Sequence, residues 1–321
     1  MMPLEYTGSG QDLMEGFAST LKSEVNDGLF VLPEAVGDGF IRTAFLGPLS
    51  ILIQHYELKS DFLLKRIGAD TIIASQEITF SFRNIMKYAG HQEKLLRLIP
   101  SVQVCSAEMD LEIFVPAGSP VNALIISVQA EFLKELLHKE EDHEVLQMIF
   151  SRHQAYLYDE IISVEMEAAA KEIMERKGKE QLGDFFLRLK SEELIYLFFM
   201  ELLKRKKATT YPINSADAKL MYEIREKIMA DLSVPPLLAD LAVSVNMSES
   251  KLNKLFKQIF GSSIYNYYQV LRINEAANLI REEGLSVSAA GYQMGFTNLS
   301  HFSRIFEKHK GYKPKKYAMI Q

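Results

Sequence analysis

The C-terminal third of the chain repeats itself, and that repeat restricts the fold more than any other feature. Leu252-Asn253-Lys254-Leu255-Phe256 lies over Phe302-Ser303-Arg304-Ile305-Phe306 at an offset of 50, which continues through Gly261 over Gly311 and Tyr267 over Tyr317. Upstream the offset becomes 49, setting Ala242 to Ser248 over Gly291 to Thr297. The second copy therefore carries one extra residue near the start of its second helix.

Each copy reads as two helices joined by a tight turn. In the first, Leu237 to Ser244 predicts a short helix whose Ala239 and Ala242 allow close packing. It stops at Asn246, and its counterpart stops at Gly295; Asn and Gly most easily take the left-handed conformation such a turn needs. Ser248 and Thr297 then stand where an N-cap belongs. The second helix of the first copy buries Leu252, Leu255, Phe256 and Ile259, and that of the second buries Phe302, Ile305 and Phe306. A helix held at a large angle by a tight turn protrudes and fits a major groove.

The side chains left exposed on these helices carry the chemistry. They are Ser250, Lys251, Asn253, Lys254 and Lys257 on the first, and Ser300, His301, Ser303, Arg304 and Lys308 on the second. Such groups donate to phosphates or read base edges. Arg304 is placed to contact a guanine and Asn253 an adenine. Ser248, Thr297 and Asn298, where the reading helices begin, are the expected phosphate contacts. The first helix, rich in lysine, is expected to lean on phosphates, and the second to supply more base discrimination. Ser263 to Glu283 between the copies has a helical pattern, and twenty-odd residues span roughly 30 Å. That is close to one DNA turn of about 34 Å, so both helices reach successive major grooves on one face of double-stranded DNA.

A formal net charge of −6 conceals a split that suits this reading. From Thr209 to Gln321 there are 14 Lys/Arg against 10 Asp/Glu, leaving 22 against 32 in the first 208 residues. Up to about Val128 the pattern is β-rich: strands are expected at Phe40–Leu46, Ser50–Glu57, Thr71–Phe82, Leu111–Val115 and Val121–Val128, with Met1 to Gly10 a short polar arm. Turn residues such as Gly37-Asp38-Gly39 and Gly47-Pro48 separate them, as in a sandwich or barrel.

From Glu131 to Lys207 the period becomes helical, with stripes at Phe132/Leu133/Leu136/Leu137, at Ile161/Ile162/Val164/Met166/Ala169/Ile173, and at Leu194/Tyr196/Leu197/Phe198/Met200. The last stripe is apolar on more than one face and needs cover on both, from its own domain or a second copy. Lys204 to Ser215 is the expected linker. The expected architecture is thus multidomain α+β: a β-rich domain over 1–130, a helical dimerisation segment over 131–207, a linker over 208–215, and an all-α double helix-turn-helix domain over 216–321.

The sole cysteine, Cys105, excludes an intramolecular disulfide and suits a cytoplasmic setting. No basic-then-apolar leader opens the chain, and Leu194 to Leu203 is too short to span a bilayer, so no membrane partner is expected. His55 and His91 stand far apart, and His138 and His143 sit beside a charged helix end. No metal constellation or nucleophile–base pair emerges, so neither a cofactor nor an enzyme is expected.

From about Ala216 to Met319 the sequence resembles the AraC/XylS family of bacterial transcriptional regulators. Gly295-Phe296, Phe302 to Phe306, Gly311, Pro314 and Tyr317 follow the family's C-terminal signature; Gly261 to Tyr267 with Leu271-Arg272-Ile273 and Ala276 resembles its linker helix. Ile264 replaces the usual proline, Ala318 the arginine that often follows the tyrosine, and Gly291 the usual alanine, which is expected to loosen that helix. The resemblance places base reading on Ser250, Lys251, Asn253 and Lys254, and on Leu299, Ser300, His301, Ser303 and Arg304, adding Leu299 as a thymine-methyl contact. It also implies an N-terminal cupin-like β-barrel that binds an effector or dimerises, a homodimer, RNA polymerase as a partner, and a nucleoid-associated protein. Two readings of the N-terminal half stay open: a small-molecule sensor, or a half that only dimerises or binds a protein.

Overall fold

Side-chain alternation along the strands organises the first half of the chain. A computed structural model describes residues 2–7, 10–68, 77–85, 100–106, 109–140, 143–150, 155–176, 181–205 and 213–319. The chain divides into two units, Met1–Ala216 and Asp217–Gln321. The first runs β1 (Met2–Thr7), α1 (Gly10–Leu21), β2 (Leu29–Val31), β3 (Gly37–Phe45), β4 (Leu49–Leu58), β5 (Phe62–Ile67), β6 (Glu77–Arg83) and β7 (Ser101–Cys105). It continues through β8 (Leu111–Val115), β9 (Pro120–Gln129), α2 (Ala130–Leu136), α3 (Glu144–Phe150), β10 (Leu157–Ile161), α4 (Val164–Glu175) and α5 (Gly183–Leu202).

These strands form a small sheet in the order β1-β5-β8 and a large one in the order β10-β7-β6-β9-β4-β3-β2. On one face of the large sheet, Ile51 and Ile53, Phe80 and Phe82, Leu124 and Ile126 form a core with the helices that follow β9. The Phe80 ring meets Phe198 and Phe199 of α5 edge-on at 5.3 and 5.9 Å. The opposite face carries Ile41, Leu52, Tyr56 and Leu58, which pack with α1 and the small sheet. There Phe17 stacks on Phe62 at 5.4 Å and sets its edge to Tyr56 at 5.6 Å.

Several expectations change. The large sheet is open among the described residues, with β10 and β2 at its edges, so the expected closed cupin-like barrel is not formed. Closure requires the edge strands to pair, and β2 is a three-residue strand pairing with β3 alone among the described strands. The expected polar arm is β1, which pairs in parallel with β5 from Met2↔Phe62 to Thr7↔Ile67. Helix α1 lies in a region read as strands, and its Gly16 allows close approach to β1: a Cβ there would sit 3.3 Å from Leu4 Cδ2.

Ile161 and Ile162 were expected in one helical stripe with Met166. Instead Ile161 ends β10, paired with β7, and the Ser163 hydroxyl caps α4 by accepting the Met166 N–H. The stretch expected as a separate helical segment thus supplies a sheet strand and shares the sheet's core. Of the strand expected over Thr71–Phe82, residues 71–76 lie outside the described residues, as do His91 and most of the expected linker. Cys105 is buried.

The second unit is helical: α6 (Ser215–Ala230), α7 (Leu238–Ser244), α8 (Glu249–Phe260), α9 (Ile264–Arg281), α10 (Val287–Gln293), α11 (Leu299–Lys310) and α12 (Pro314–Tyr317). No helix among the described residues is long and apolar enough to cross a membrane.

The Phe80–Phe198–Phe199 contact makes a test of the shared core. Truncating Phe198 to Ala should destabilise the chain by about 3–5 kcal/mol, the usual cost of removing a buried phenylalanine. Urea unfolding followed by far-ultraviolet circular dichroism reads this directly. A loss below about 1 kcal/mol would show that α5 is not part of the sheet's core.

Candidate nucleic-acid interface

Both helix-turn-helix copies close on the same backbone hydrogen bonds. In the first, Met247 N–H donates to Ala242 O at 3.0 Å across Asn246, which has φ 51°. In the second, Phe296 N–H donates to Gly291 O at 3.0 Å across Gly295, which has φ 70°. Each bond links the second residue past the C-cap (Val245 or Met294) to a carbonyl five positions back, the Schellman closure that a left-handed residue permits. Asn246 and Gly295 therefore do the same job. Gly261 and Gly311 end the two second helices alike, both at φ 74°.

The reading helices begin differently. Ser248 caps α8, its hydroxyl accepting from Lys251 N–H at 3.3 Å. On α11 the cap is Asn298 rather than the expected Thr297, with Oδ1 accepting from His301 N–H at 3.0 Å. The extra residue of the second copy falls here, so the cap moves one position along and Thr297 precedes it.

Ser250, Lys251, Lys254 and Lys257 are exposed on α8, and Ser300, His301, Arg304 and Lys308 on α11. Three of the expected reading positions are less free. Asn253 is half-buried, and its Oδ1 accepts the Ile264 N–H at 3.1 Å, which fixes the start of α9. Ser303 is half-buried. Leu299 is half-buried too, packing with Phe302 and Met294 in the core of the second motif. A Cβ on Gly291 would lie 3.0 Å from Leu299 Cδ2 and 3.1 Å from Phe302 Cδ1. Gly291 thus lets α10 and α11 touch, where loosening was expected.

The charges suit an anionic partner on the outer faces. Lys308, His309 and Lys310 stand in the last turn of α11, where cations complement the helix dipole. Burial, then the neighbouring Lys308 and Lys310 ammoniums, lower the pKa of His309, which favours its neutral form. Between the readers, α9 is buried along its length, and Ser263 caps it by accepting from Asn266 N–H at 3.4 Å. Its 18 residues span about 27 Å.

A helix-turn-helix domain family matches residues 241–319. The transcriptional regulator GbdR of Pseudomonas aeruginosa is 32% identical over 95 residues, covering 30% of this chain and 26% of that protein. The arabinose operon regulatory protein of Escherichia coli is 31% identical over 80 residues, covering 25% of this chain and 27% of that protein. These alignments therefore span only about a quarter of the relatives' length. A solved transcriptional regulator with an AraC-type DNA-binding domain, from Chromobacterium violaceum, is 28% identical with a TM-score of 0.31, covering 33% of this chain and 95% of that one.

The shifted cap is open to a paired substitution. Asn298→Ala should cost about 1 kcal/mol of stability, the typical worth of an N-cap, whereas Thr297→Ala should cost no more than a few tenths. Thermal unfolding of the two variants decides it; the reverse order would restore Thr297 as the cap.

Proposed function

We propose, for a chain whose C-terminal domain belongs to the AraC/XylS family of transcriptional regulators, that the whole protein is a sequence-specific regulator gripping double-stranded DNA with α8 and α11. The observation that carries this is the pair of Schellman-closed motifs, each presenting exposed cations, packed on one buried helix about 27 Å long. Lys251, Lys254 and Lys257 neutralise phosphates, and binding weakens steeply as salt rises. Ser248, Thr297 and Asn298 mark helix N-termini whose free N–H groups suit phosphates. Arg304 reads a guanine, with Ser300 and His301 beside it. Asn253 serves better to set the start of α9, because bidentate adenine reading would compete for the oxygen that holds Ile264.

We further propose that the first unit senses a small molecule with hydrogen-bonding groups. Register places Leu52, Ile125, Ser81, Gln103 and Asp159 in one row across the large sheet, and Gln54, Ala123, Arg83 and Ser101 in the next. Gln54, Ser101, Gln103 and Asp159 are buried, and Arg83 pairs with Asp159 at 2.5 Å. Beside these rows, the reverse face of β4, β9, β6 and β7 is Ile, Val, Leu and Phe. A sheet face of Gln and Ser beside an Arg83 that donates to Ser101 and Asp159 is chemically suited to a polar ligand. The competing reading, with no ligand, draws on the other end of this face, which Phe17, Phe30 and Phe62 fill. Helix α5 exposes Phe185, Leu189, Tyr196 and Met200, an apolar stripe suited to a second copy of the chain. RNA polymerase as a partner and a cytoplasmic setting follow from the family reading.

Two experiments test the two halves. Arg304→Ala should lose about 1–3 kcal/mol of discrimination at one base pair, while Lys254→Ala should weaken all sites alike and flatten the salt dependence by about one ion. A randomised-site binding assay that finds equal loss of specificity from both would reject this division of labour. For the sensor, a thermal-shift screen of uncharged polar metabolites on the full chain should find one that raises the unfolding temperature, and Gln103→Leu should abolish the shift. A hit that stabilises Gln103→Leu equally would place the ligand elsewhere.

A further inference from the structure

Beyond DNA binding itself, the turn of the second reader is held from outside its own motif. The segment 231–236, between α6 and α7, runs against it. Asp231 Oδ1 accepts from both the backbone N–H and the hydroxyl of Ser233, at 2.8 and 2.6 Å, folding the segment into a compact turn. The Leu232 side chain packs into the core of the second motif, with Met294, Phe296 and Phe302. The Leu232 carbonyl accepts the Tyr268 hydroxyl of α9 at 3.0 Å. The Ser233 carbonyl presses on Gly295 so closely that a Cβ there would lie 1.9 Å from its oxygen.

The other side of the same turn is held by Arg272. It is buried in α9, its Nε donates to the Met294 carbonyl, and its guanidinium lies 3.7 Å over the Phe296 ring. Tyr268, one helical turn earlier, stands 5.5 Å from the same guanidinium. The turn of the second reader is thereby clamped between α9 and the segment that leads straight into the first reader. Its glycine is doubly required: by φ 70°, and by the Ser233 oxygen where a side chain would stand. The matching residue of the first copy, Asn246, has the same handedness and is exposed, so its side chain finds room.

We propose that segment 231–236 is a strap, and that together with Tyr268 and Arg272 it sets the orientation of α11 relative to α8. It thereby fixes the spacing between the two half-sites that the protein accepts on DNA. Arg272, Tyr268 and Ser233 are positioning residues; they act on DNA through the second reader and touch no base. The inference rests on the proposal that α8 and α11 both enter the major groove. One base pair inserted between the half-sites turns the second by roughly 34° and moves it along the axis by about 3.4 Å. A rigidly strapped pair rejects that displacement, whereas a pair joined by α9 alone can bend to follow it.

The test uses the full chain and a library of duplexes with randomised sequence, from which a preferred site is selected. That site is then rebuilt with one base pair added or removed between its half-sites. Wild type should bind the original spacing with strong preference. Tyr268→Phe, which removes only the hydroxyl held by Leu232, should narrow that preference by about three- to tenfold, the range one hydrogen bond covers. Pro235→Gly, at an exposed position of the strap, should narrow it as well, by freeing the backbone. Arg272→Met should do so most strongly; should that variant fail to fold, the other two still decide.

Weaker binding at every spacing with an unchanged spacing profile, in Tyr268→Phe and Pro235→Gly alike, would overturn the strap. That is the pattern a merely stabilising role produces. Wild type selecting no duplex at all would instead reject DNA binding, and the strap with it. The two failures are therefore told apart by the wild-type arm.

Discussion

Helix α9 has two ends that belong to two different cores, and the placement of both readers depends on it. At its start, Tyr267 meets Phe256 and Phe260 of α8 at 5.3 and 5.4 Å. Towards its end, Ile273, Ala276, Ala277 and Ile280 pack with Phe302 and Phe306 of α11. On the buried faces of such a helix, polar groups cost stability unless each has a partner. Gln269 donates to the Tyr265 hydroxyl at 2.9 Å, and Arg272 reaches across to Met294. Moving one reader against the other means unpacking one of these cores. On the proposed reading, the packing at both ends of α9, together with the strap, sets how the two motifs meet a regular double helix.

The first unit solves a different problem with equally plain means. Its large sheet has one face of large aliphatic and aromatic residues, covered by helices, and a second face that changes character along its width. Near β3 and β4 that second face is apolar and closed by α1 and the small sheet. Near β6, β7 and β10 it carries Ser81, Gln103, Ser101 and the Arg83–Asp159 pair. Breaking such a buried pair by removing one charge is costly, so Arg83 and Asp159 constrain each other's replacement. Arg205, just past α5, repeats the arrangement with Glu160 of β10, a carboxyl whose pKa burial raises against the opposing pull of Arg205. Arg205 is therefore tied to the edge strand of the sheet.

What could be read in the sequence followed the range of the forces involved. The repeat, both left-handed turns, the Ser248 cap and the buried stripes of α8 and α11 rest on interactions within a few residues, and spacing reports those. Thr297 was expected as the second cap because its neighbours align with Ser248 under one offset; the inserted residue acts where that offset breaks. That Asn253 also holds the start of α9 could not be read locally, because its partner, Ile264, belongs to the next helix. Strands β1 and β10 went unread because their pairing partners lie about 60 and 56 residues away, at Phe62–Ile67 and Ser101–Cys105. Nothing near Gly295 in the chain announces that Ser233 will occupy its missing side chain.

The three departures from the family pattern each lie beside a contact in this chain that answers them. A proline at 264 would have no N–H, yet here that N–H is held by Asn253 on α8, so the isoleucine adds a tie between reader and linker. The methyl absent at Gly291 leaves space that Leu299 and Phe302 enter, each near 3 Å from where it would stand. Ala318 removes a cation after Tyr317, but Arg281 of α9 lies 5.0 Å over that tyrosine's ring and donates to its hydroxyl at 3.4 Å. In two of the three cases a contact from α9 reaches another helix, α8 through Asn253 and α12 through Tyr317. Those ties make the geometry between the two motifs a property of the whole domain rather than of either motif alone.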